Sequence, residues 1–376
     1  MDHASAIALT KRLINNVKNN TTDMAPDTMM ESANVFINEE RWRLERKKLF
    51  LDTPQVVGFA GEIKQTNSFL TTEVIGIPIV VTRDQQGKLH AFINACAHRG
   101  SRVANGKGIA KRMNCIFHGW SYNLDGKLAG RPEEAAFDQA GPETNLQALP
   151  VSDKSGLIVV GLHRGISQEV VDTHLDDIAD AIKGLHFDRV HSLETRRFEV
   201  AADWKLVTGL SHEGYHFATL HRDSLAPLMT ANATVDFFGK HSRWAFPLKG
   251  IETLAKIDES HWPIRPPAAM NHTIYPGTVI IVPSSNAQMI RVEPGKKPGT
   301  SVVYYIGVHD NPKTRDEDAA SYDFGGKVFE QEDLPVAEQC QQGLSAGQST
   351  VIFGRNEPIV QFWHRRWNAA LINQGR

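Results

Sequence analysis

Residues 96–120 read CAHRGSRVANGKGIAKRMNCIFHGW and set one cysteine and one histidine in each of two loops. Cys96-x-His98 is followed, sixteen residues later, by Cys115-x2-His118. Two thiols and two imidazoles make a zinc ligand set, but zinc fingers pair cysteine with cysteine and histidine with histidine. A mixed pair in each loop suits a [2Fe–2S] cluster in which one iron takes two thiolates and the other two imidazoles. Neutral imidazoles bring less negative charge than thiolates, so such a cluster is easier to reduce. Gly100 and Gly119 permit tight loops whose backbone N–H groups can point at sulfur.

The surrounding texture is β. The run NSFLTTEVIGIPIVVTRDQQGKLHAFINA alternates or stays apolar and breaks at a Gly87 turn. Asp125-Gly126 is a hairpin signal, and GLIVVGL reads as a buried strand. Residues 167–185 carry Val171, Leu175, Ile178 and Ile182 at helical spacing, and a domain junction is placed near 163–167. Beyond it, strand-like runs alternate with helical stretches, one of them over 315–345 with an acidic start. The first forty residues read as polar and irregular, and 38–50 as a charged helix. The expected organisation is an N-terminal helical arm over 1–50 that packs on the second domain, a small all-β domain over 51–163, and an α+β domain over 164–376 built on an antiparallel sheet.

The motifs C-x-H-R-G at Cys96 and C-x2-H-G-W-x-Y at Cys115 resemble the Rieske motif in the form found in Rieske non-haem iron oxygenases. The resemblance implies that Cys96 and Cys115 bind one iron and His98 and His118 the other, with Arg99 and Trp120 supporting the cluster. It spans about residues 40–345 and implies a helix-grip (START-like) catalytic domain with a curved sheet.

A second constellation is SHEGYHFATLH, residues 211–221. His212-Glu213-Gly214-Tyr215-His216 matches H-E-x-x-H, the zinc-protease signature, which makes a zinc metallohydrolase the rival reading. That signature needs a regular helix, and Gly214 weakens one by ~1 kcal/mol relative to Ala. The glycine and third histidine of the extended protease motif are absent, and the next glutamate is as far off as Glu252. Parsed instead as Glu213-x2-His216-x4-His221 after Asp203-Trp204-Lys205-Leu206, the segment resembles the catalytic segment of the same oxygenases. His216 and His221 are then two ligands of a mononuclear Fe(II), in a segment distorted away from a regular helix. The run FEQEDLPVAEQCQQGL resembles the family's C-terminal segment and makes Asp333 the third ligand, with Glu332 as fallback. Without that resemblance, Asp333 reads as an acid at a helix N-terminus. Glu213 takes the family's bridging position between a cluster histidine of one subunit (His118) and an iron-ligating histidine (His216) of the next. His212 becomes a bystander or pocket residue, and Tyr215 either lines the channel or packs in the core.

With 41 basic and 43 acidic residues the formal charge is −2, which gives no footprint for nucleic acid. Three cysteines are too few for a disulfide framework and fit a reducing compartment. With neither a secretory h-region nor a span of ~20 apolar residues, the expectation is a cytoplasmic protein with no membrane contact. No nicotinamide or flavin fingerprint is present, so NAD(P)H acts indirectly, through a reductase or ferredoxin partner.

What the family resemblance implies is a terminal oxygenase that uses O2 on a hydrophobic, aromatic-compatible substrate, as a homotrimer closed head to tail. The preferred chemistry is monooxygenation leading to N- or O-dealkylation. Aromatic ring cis-dihydroxylation and oxidation of a quaternary ammonium compound are the alternatives, and a non-enzymatic Rieske electron carrier is the rival of another class. Candidate pocket residues are Phe217, Leu225, Phe237, Phe238, Trp244, Phe246, Trp262, Tyr275, Ile281 and Tyr304. Residues 1–35 and the tail VQFWHRRWNAALINQGR carry no usable motif.

Overall fold

The computed structural model describes residues 1–137, 141–283 and 286–372. These form two compact units, one of Phe50–Leu175 with His186–Val190, the other of Met1–Leu49, Asp176–Leu185 and His191–Arg376. No helix among the described residues is long and apolar enough to cross a membrane.

The first unit is all β at its centre. A five-stranded antiparallel sheet runs in the order Ala148–Leu149, Leu89–Ile93, Ile77–Arg83, Ser68–Val74, Lys107–Ile109. Its central strand serves two cores, because alternate side chains leave a strand on opposite faces. Ile79 and Val81 pack with Val57, Ile158 and Val160, whereas Val80 packs with Cys96, Cys115, Trp120 and Tyr122. A three-stranded sheet of Arg112–Asn114, Ser121–Asn123 and Leu128–Gly130 frames the second Cys/His loop. The Asp125-Gly126 hairpin forms as expected, with Gly126 at φ 82°.

The second unit is built on a seven-stranded antiparallel sheet. Strands Thr234–Phe238, His241–Pro247, Ala268–Ile274, Thr278–Val282, Asn286–Pro294 and Ser301–His309 follow one another as hairpins, and His191–Val200 returns beside the last. The helix Arg315–Val328 lies on this sheet, and Tyr322 Oη donates to the carbonyl of Tyr305 at 3.0 Å. The approach is close enough that a Cβ at Gly307 would lie 2.3 Å from the Tyr322 ring.

Two expectations need correction, and a segment without a motif is ordered. The first forty residues are not irregular, because His3–Asn19 is a helix N-capped by Asp2, burying Ala6, Leu9, Leu13 and Ile14 on one face. That spacing is legible, but the many asparagines and lysines on the other face mask it. The apolar positions of 167–185 are buried, yet the segment is three short pieces, Gln168–Asp172, Asp176–Ile178 and Ala179–Lys183. Thr173 ends the first piece by turning its hydroxyl back to the Glu169 carbonyl at 2.8 Å. The tail, which has no motif, forms the helix Pro358–Ile372 and buries Trp363 and Trp367 completely. Their indole N–H groups donate to Ser242 Oγ at 2.9 Å and to the Pro276 carbonyl at 2.8 Å.

Candidate active site

The two Cys/His loops of the first unit are closed alike. Gly100 N–H donates to the Cys96 carbonyl at 2.8 Å, and Gly119 N–H to the Cys115 carbonyl at 3.0 Å, with both glycines at positive φ. In this region a side chain is strained, so glycine suits the turn. Cys96 and Cys115 are buried, and Tyr122 Oη lies 3.3 Å from Cys96 Sγ. Burial pushes the Cys96 thiol up; at Cys115 the N–H groups of Phe117 and His118 and the Cys96 contact outweigh burial and push it down. The rings of His98 and His118 stand 4.7 Å apart, and their buried Nδ1 atoms have no hydrogen-bond partner among the described residues. Two thiols and two unpartnered imidazole nitrogens fit the donor set of a Cys2His2 [2Fe–2S] cluster. Trp120 stacks on His98 at 5.2 Å and 8°, and Arg99 reaches His118 Nε2 at 2.7 Å.

In the second unit the helix Trp204–Gly209 anchors the HEGYH segment. Lys205 Nζ, fully buried, pairs with Glu45 at 2.7 Å and Asp203 at 2.8 Å, and Trp204 Nε1 donates to Glu45 at 2.9 Å. Arg41 Nε adds a second cation 2.7 Å from Glu45, so two cations face two carboxylates, which is the compensation that buried charges require. From Leu210 to Leu228 the chain runs as bends and turns rather than a regular helix, so the protease geometry is absent. His212 turns away: it is buried, 3.2 Å from Thr273 Oγ1, and stacked on Trp363. Burial, helped by His364, holds its pKa down to about 3.

His216, His221 and Asp333 come together, with one ligand atom from each within 4.8 Å of the others. Asp333 Oδ1 lies 3.2 Å from His221 Nε2 and 3.8 Å from His216 Nε2. The opposite ring nitrogens are occupied by carboxylates. His221 Nδ1 is 2.8 Å from Glu332 Oε2, which also accepts from Ser224 Oγ at 2.8 Å. His216 Nδ1 is bonded to Glu213 Oε1, and Glu213 Oε2 accepts from the His216 backbone N–H at 3.2 Å. Ionised carboxylates only accept, so the ring protons sit on Nδ1 and both Nε2 atoms keep lone pairs. Three acceptors therefore converge with no donor between them, and buried Asp333 Oδ1 has no hydrogen-bond partner among the described residues. Such a set is made for a cation, with the outer carboxylates fixing tautomer and ring orientation. Burial raises the Asp333 pKa, and burial is outweighed at His221 by Asp333 and Glu332, which raise it.

Asp333 reaches this point through a π-helical stretch, Phe329–Asp333, between the helices Arg315–Val328 and Leu334–Ser345. Pro335 supplies the reason, since it has no N–H for the carbonyl four residues back. Asp333 precedes the second helix without capping it, and Glu332, the fallback ligand, instead orients His221 from behind.

The triad opens on a cavity of about 450 Å³ lined by His216, His221 and Asp333 with Phe217, Leu225, Trp244, Phe246, Ile281 and other largely apolar side chains. Five of the ten candidate pocket residues are thus in place. The other five are not in the lining: Phe237 is exposed against Phe362, Trp262 donates to the Leu254 carbonyl, Tyr275 stacks on Trp363, Arg243 lies over Phe238 and Arg291 over Tyr304. Strand parity sets some of these positions: Trp244 and Phe246 share one sheet face with their neighbours Asn271 and Ala269, and Tyr305 lines the cavity where the adjacent Tyr304 does not. Tyr215 neither lines the cavity nor packs in the core; it is 73% exposed. Missed by sequence reasoning were Met229, Asn271, Gln288, Tyr305 and Phe329, whose faces are set by strand pairing and helix docking.

Residues 53–150 match the family described as Rieske [2Fe-2S] domain, and residues 187–372 the ring hydroxylating alpha subunit (catalytic domain). The chain is 25% identical over 334 residues to the carnitine monooxygenase oxygenase subunit of Acinetobacter pittii, covering 85% of this chain and 87% of that protein. It is 32% identical over 205 residues to the glycine betaine monooxygenase oxygenase subunit of Chromohalobacter salexigens, a match to 54% of this chain and 45% of that relative's length. In fold it is similar to the quaternary ammonium Rieske monooxygenase CntA, with TM-score 0.78 and 20% identity over 91% of this chain and 96% of that one. It is also similar in fold to naphthalene 1,2-dioxygenase from Rhodococcus sp., with TM-score 0.74 and 16% identity over 98% and 99%.

Proposed function

Because the chain belongs to the family of Rieske non-haem iron oxygenase α subunits, we propose that it is a terminal oxygenase that hydroxylates an N- or O-alkyl carbon of a hydrophobic substrate. The observation that carries this reading is the convergence of His216 Nε2, His221 Nε2 and Asp333 Oδ1 on an apolar cavity. Cys96, His98, Cys115 and His118 hold the [2Fe–2S] cluster, and His216, His221 and Asp333 an Fe(II). When bound, these groups supply single electrons and O2 activation.

The chain's own residues do the rest. Glu332 and Glu213 hold the ring proton of each imidazole on Nδ1 and aim Nε2 at the triad. The aromatic and aliphatic wall excludes water and holds the alkyl carbon against the triad. One oxygen atom enters the C–H bond, and the other leaves as water with two electrons and two protons. The hydroxylated carbon then leaves nitrogen or oxygen as an aldehyde.

The electrons come from NAD(P)H through a separate reductase or ferredoxin, and the protein acts in the cytoplasm as a homotrimer. In that ring Glu213 bridges His216 to His118 of the partner subunit. The exposed Tyr215 beside Glu213 suits such a contact surface. A second reading, oxidation of a quaternary ammonium compound, is favoured by the relatives' names. It is also favoured by Phe217, Trp244 and Phe246, whose ring centroids lie 4.3–5.9 Å apart in the cavity wall.

The test is oxygen uptake with a surrogate reductase and a panel of N-methyl and O-methyl aromatics and quaternary amines. Substrate-dependent O2 consumption with formaldehyde release is expected. A reduced cluster that drives no uptake with any member of the panel would overturn the reading.

A further inference from the structure

Outside the triad, Asn271 is the described cavity residue with a buried side-chain atom that lacks a hydrogen-bond partner. It is 4% exposed, lies on the strand Ala268–Ile274, and is paired across the sheet with Trp244 on one side and Ile281 on the other. All three line the cavity, so Asn271 is on the substrate face. Its Nδ2 donates to the Ser211 carbonyl at 3.0 Å, which fixes the orientation of the amide. Its Oδ1 is buried and has no hydrogen-bond partner among the described residues. The other amide in the lining differs: Gln288 Oε1 already accepts from Tyr305 Oη at 2.5 Å.

Resting on the reading of this cavity as the substrate site, we propose that Asn271 Oδ1 is a specificity determinant that accepts a hydrogen bond from an N–H or O–H of the substrate. A buried acceptor that no group of the chain satisfies costs free energy, and a ligand whose N–H or O–H reaches it recovers that cost where a ligand without a donor does not. The preferred ligand is therefore apolar, fits among Phe217, Trp244 and Phe246, and carries one donor near the oxidised carbon. A protonated tertiary amine, a secondary amide or an alcohol meets this requirement. A fully methylated ammonium centre has no N–H, so a quaternary ion without a hydroxyl does not.

The experiment compares two cations of equal charge and similar shape by calorimetric titration of the full-length holoprotein. N,N-dimethylbenzylamine, protonated at neutral pH, offers an N–H, and benzyltrimethylammonium offers a methyl group in its place. The wild type is expected to bind the tertiary amine at least about tenfold more tightly. Asn271→Leu, close in shape but without an acceptor, should bring the two affinities together, and Asn271→Asp should keep the preference. Equal or tighter binding of the quaternary ion by the wild type, no binding of either, or a preference that survives in Asn271→Leu would overturn the proposal. Should Asn271→Leu fail to fold, the wild-type ratio still decides. Binding is read without turnover, so a preference without O2 uptake on any substrate would sink the oxygenase reading and leave this one. O2 uptake without the preference would do the reverse.

Discussion

The two histidine pairs offer opposite ring nitrogens. His98 and His118 keep Nδ1 buried and without a partner among the described residues, while the outer Nε2 of His118 meets Arg99. His216 and His221 have Nδ1 occupied by Glu213 and Glu332, and present Nε2 toward Asp333. The difference follows from how each pair is carried. Nδ1 lies nearer the backbone, so a histidine in a tight glycine-closed loop serves a centre held against that loop. Nε2 lies at the far end of the ring, so a histidine that meets a carboxylate from a distant helix uses it. A ring reaching that far needs a partner behind it, and the glutamates provide one.

Breaking each centre in turn should show how separate they are. Asp333→Ala should abolish turnover and lower the iron content from about three per chain to about two, with the visible absorption of the cluster intact. Cys115→Ser should do the opposite and bleach the cluster. Activity retained in Asp333→Ala would remove the triad assignment. The support beneath the second centre comes next. Trp363 is fully buried against His212 and Tyr275, so Trp363→Ala should cost about 3–5 kcal/mol in denaturant unfolding. A loss under about 1 kcal/mol would mean that the terminal helix is not part of the cooperative unit.

Glu332→Gln keeps the shape but weakens the hold on the His221 tautomer, and should reduce iron affinity or turnover about 10–100-fold without changing the cluster spectrum. An equal effect on the cluster spectrum would show that the two centres are not separately supported.

The last effect concerns pH. Burial holds His212 and His272 down from 6.5 to about 3 in the folded chain. Their folded values are depressed, so below about pH 6.5 the unfolded chain binds more protons, and stability falls as pH drops toward 3. Urea midpoints measured between about pH 7 and about pH 4 should decline, and His212→Asn should flatten that decline. An unchanged slope would mean that His212 takes up a proton without unfolding.

Much of the first unit was readable because its signals are local. Gly100 and Gly119 announce their turns, Asp125-Gly126 its hairpin, and the apolar strands their two faces. In the second unit HEGYH misleads at first glance, since the fixed letters are right and the helix they require is absent. The later His221 and the acidic pair at 332–333 correct that reading, yet cannot say which acid faces which nitrogen. Nothing in the tail announces that Trp363 stacks on His212, because that contact joins residues 151 positions apart.

The sequence by itself determined the donor chemistry: two thiols with two imidazoles in one unit, and two imidazoles with a carboxylate in the other. Residue type fixes which lone pairs exist, and short spacing fixes which of them share a loop. Tertiary structure alone decided that Asp333 faces the cavity while Glu332 stands behind His221, and that Tyr215 is exposed where Phe217 lines the pocket. It also left Asn271 with one amide atom bonded and the other open. Those outcomes depend on a π-helical turn ahead of Pro335 and on strand parity across seven strands. The turn follows from the missing N–H of Pro335, whereas the parity arises from long-range pairing, in which a shift of one residue would turn every side chain to the other face.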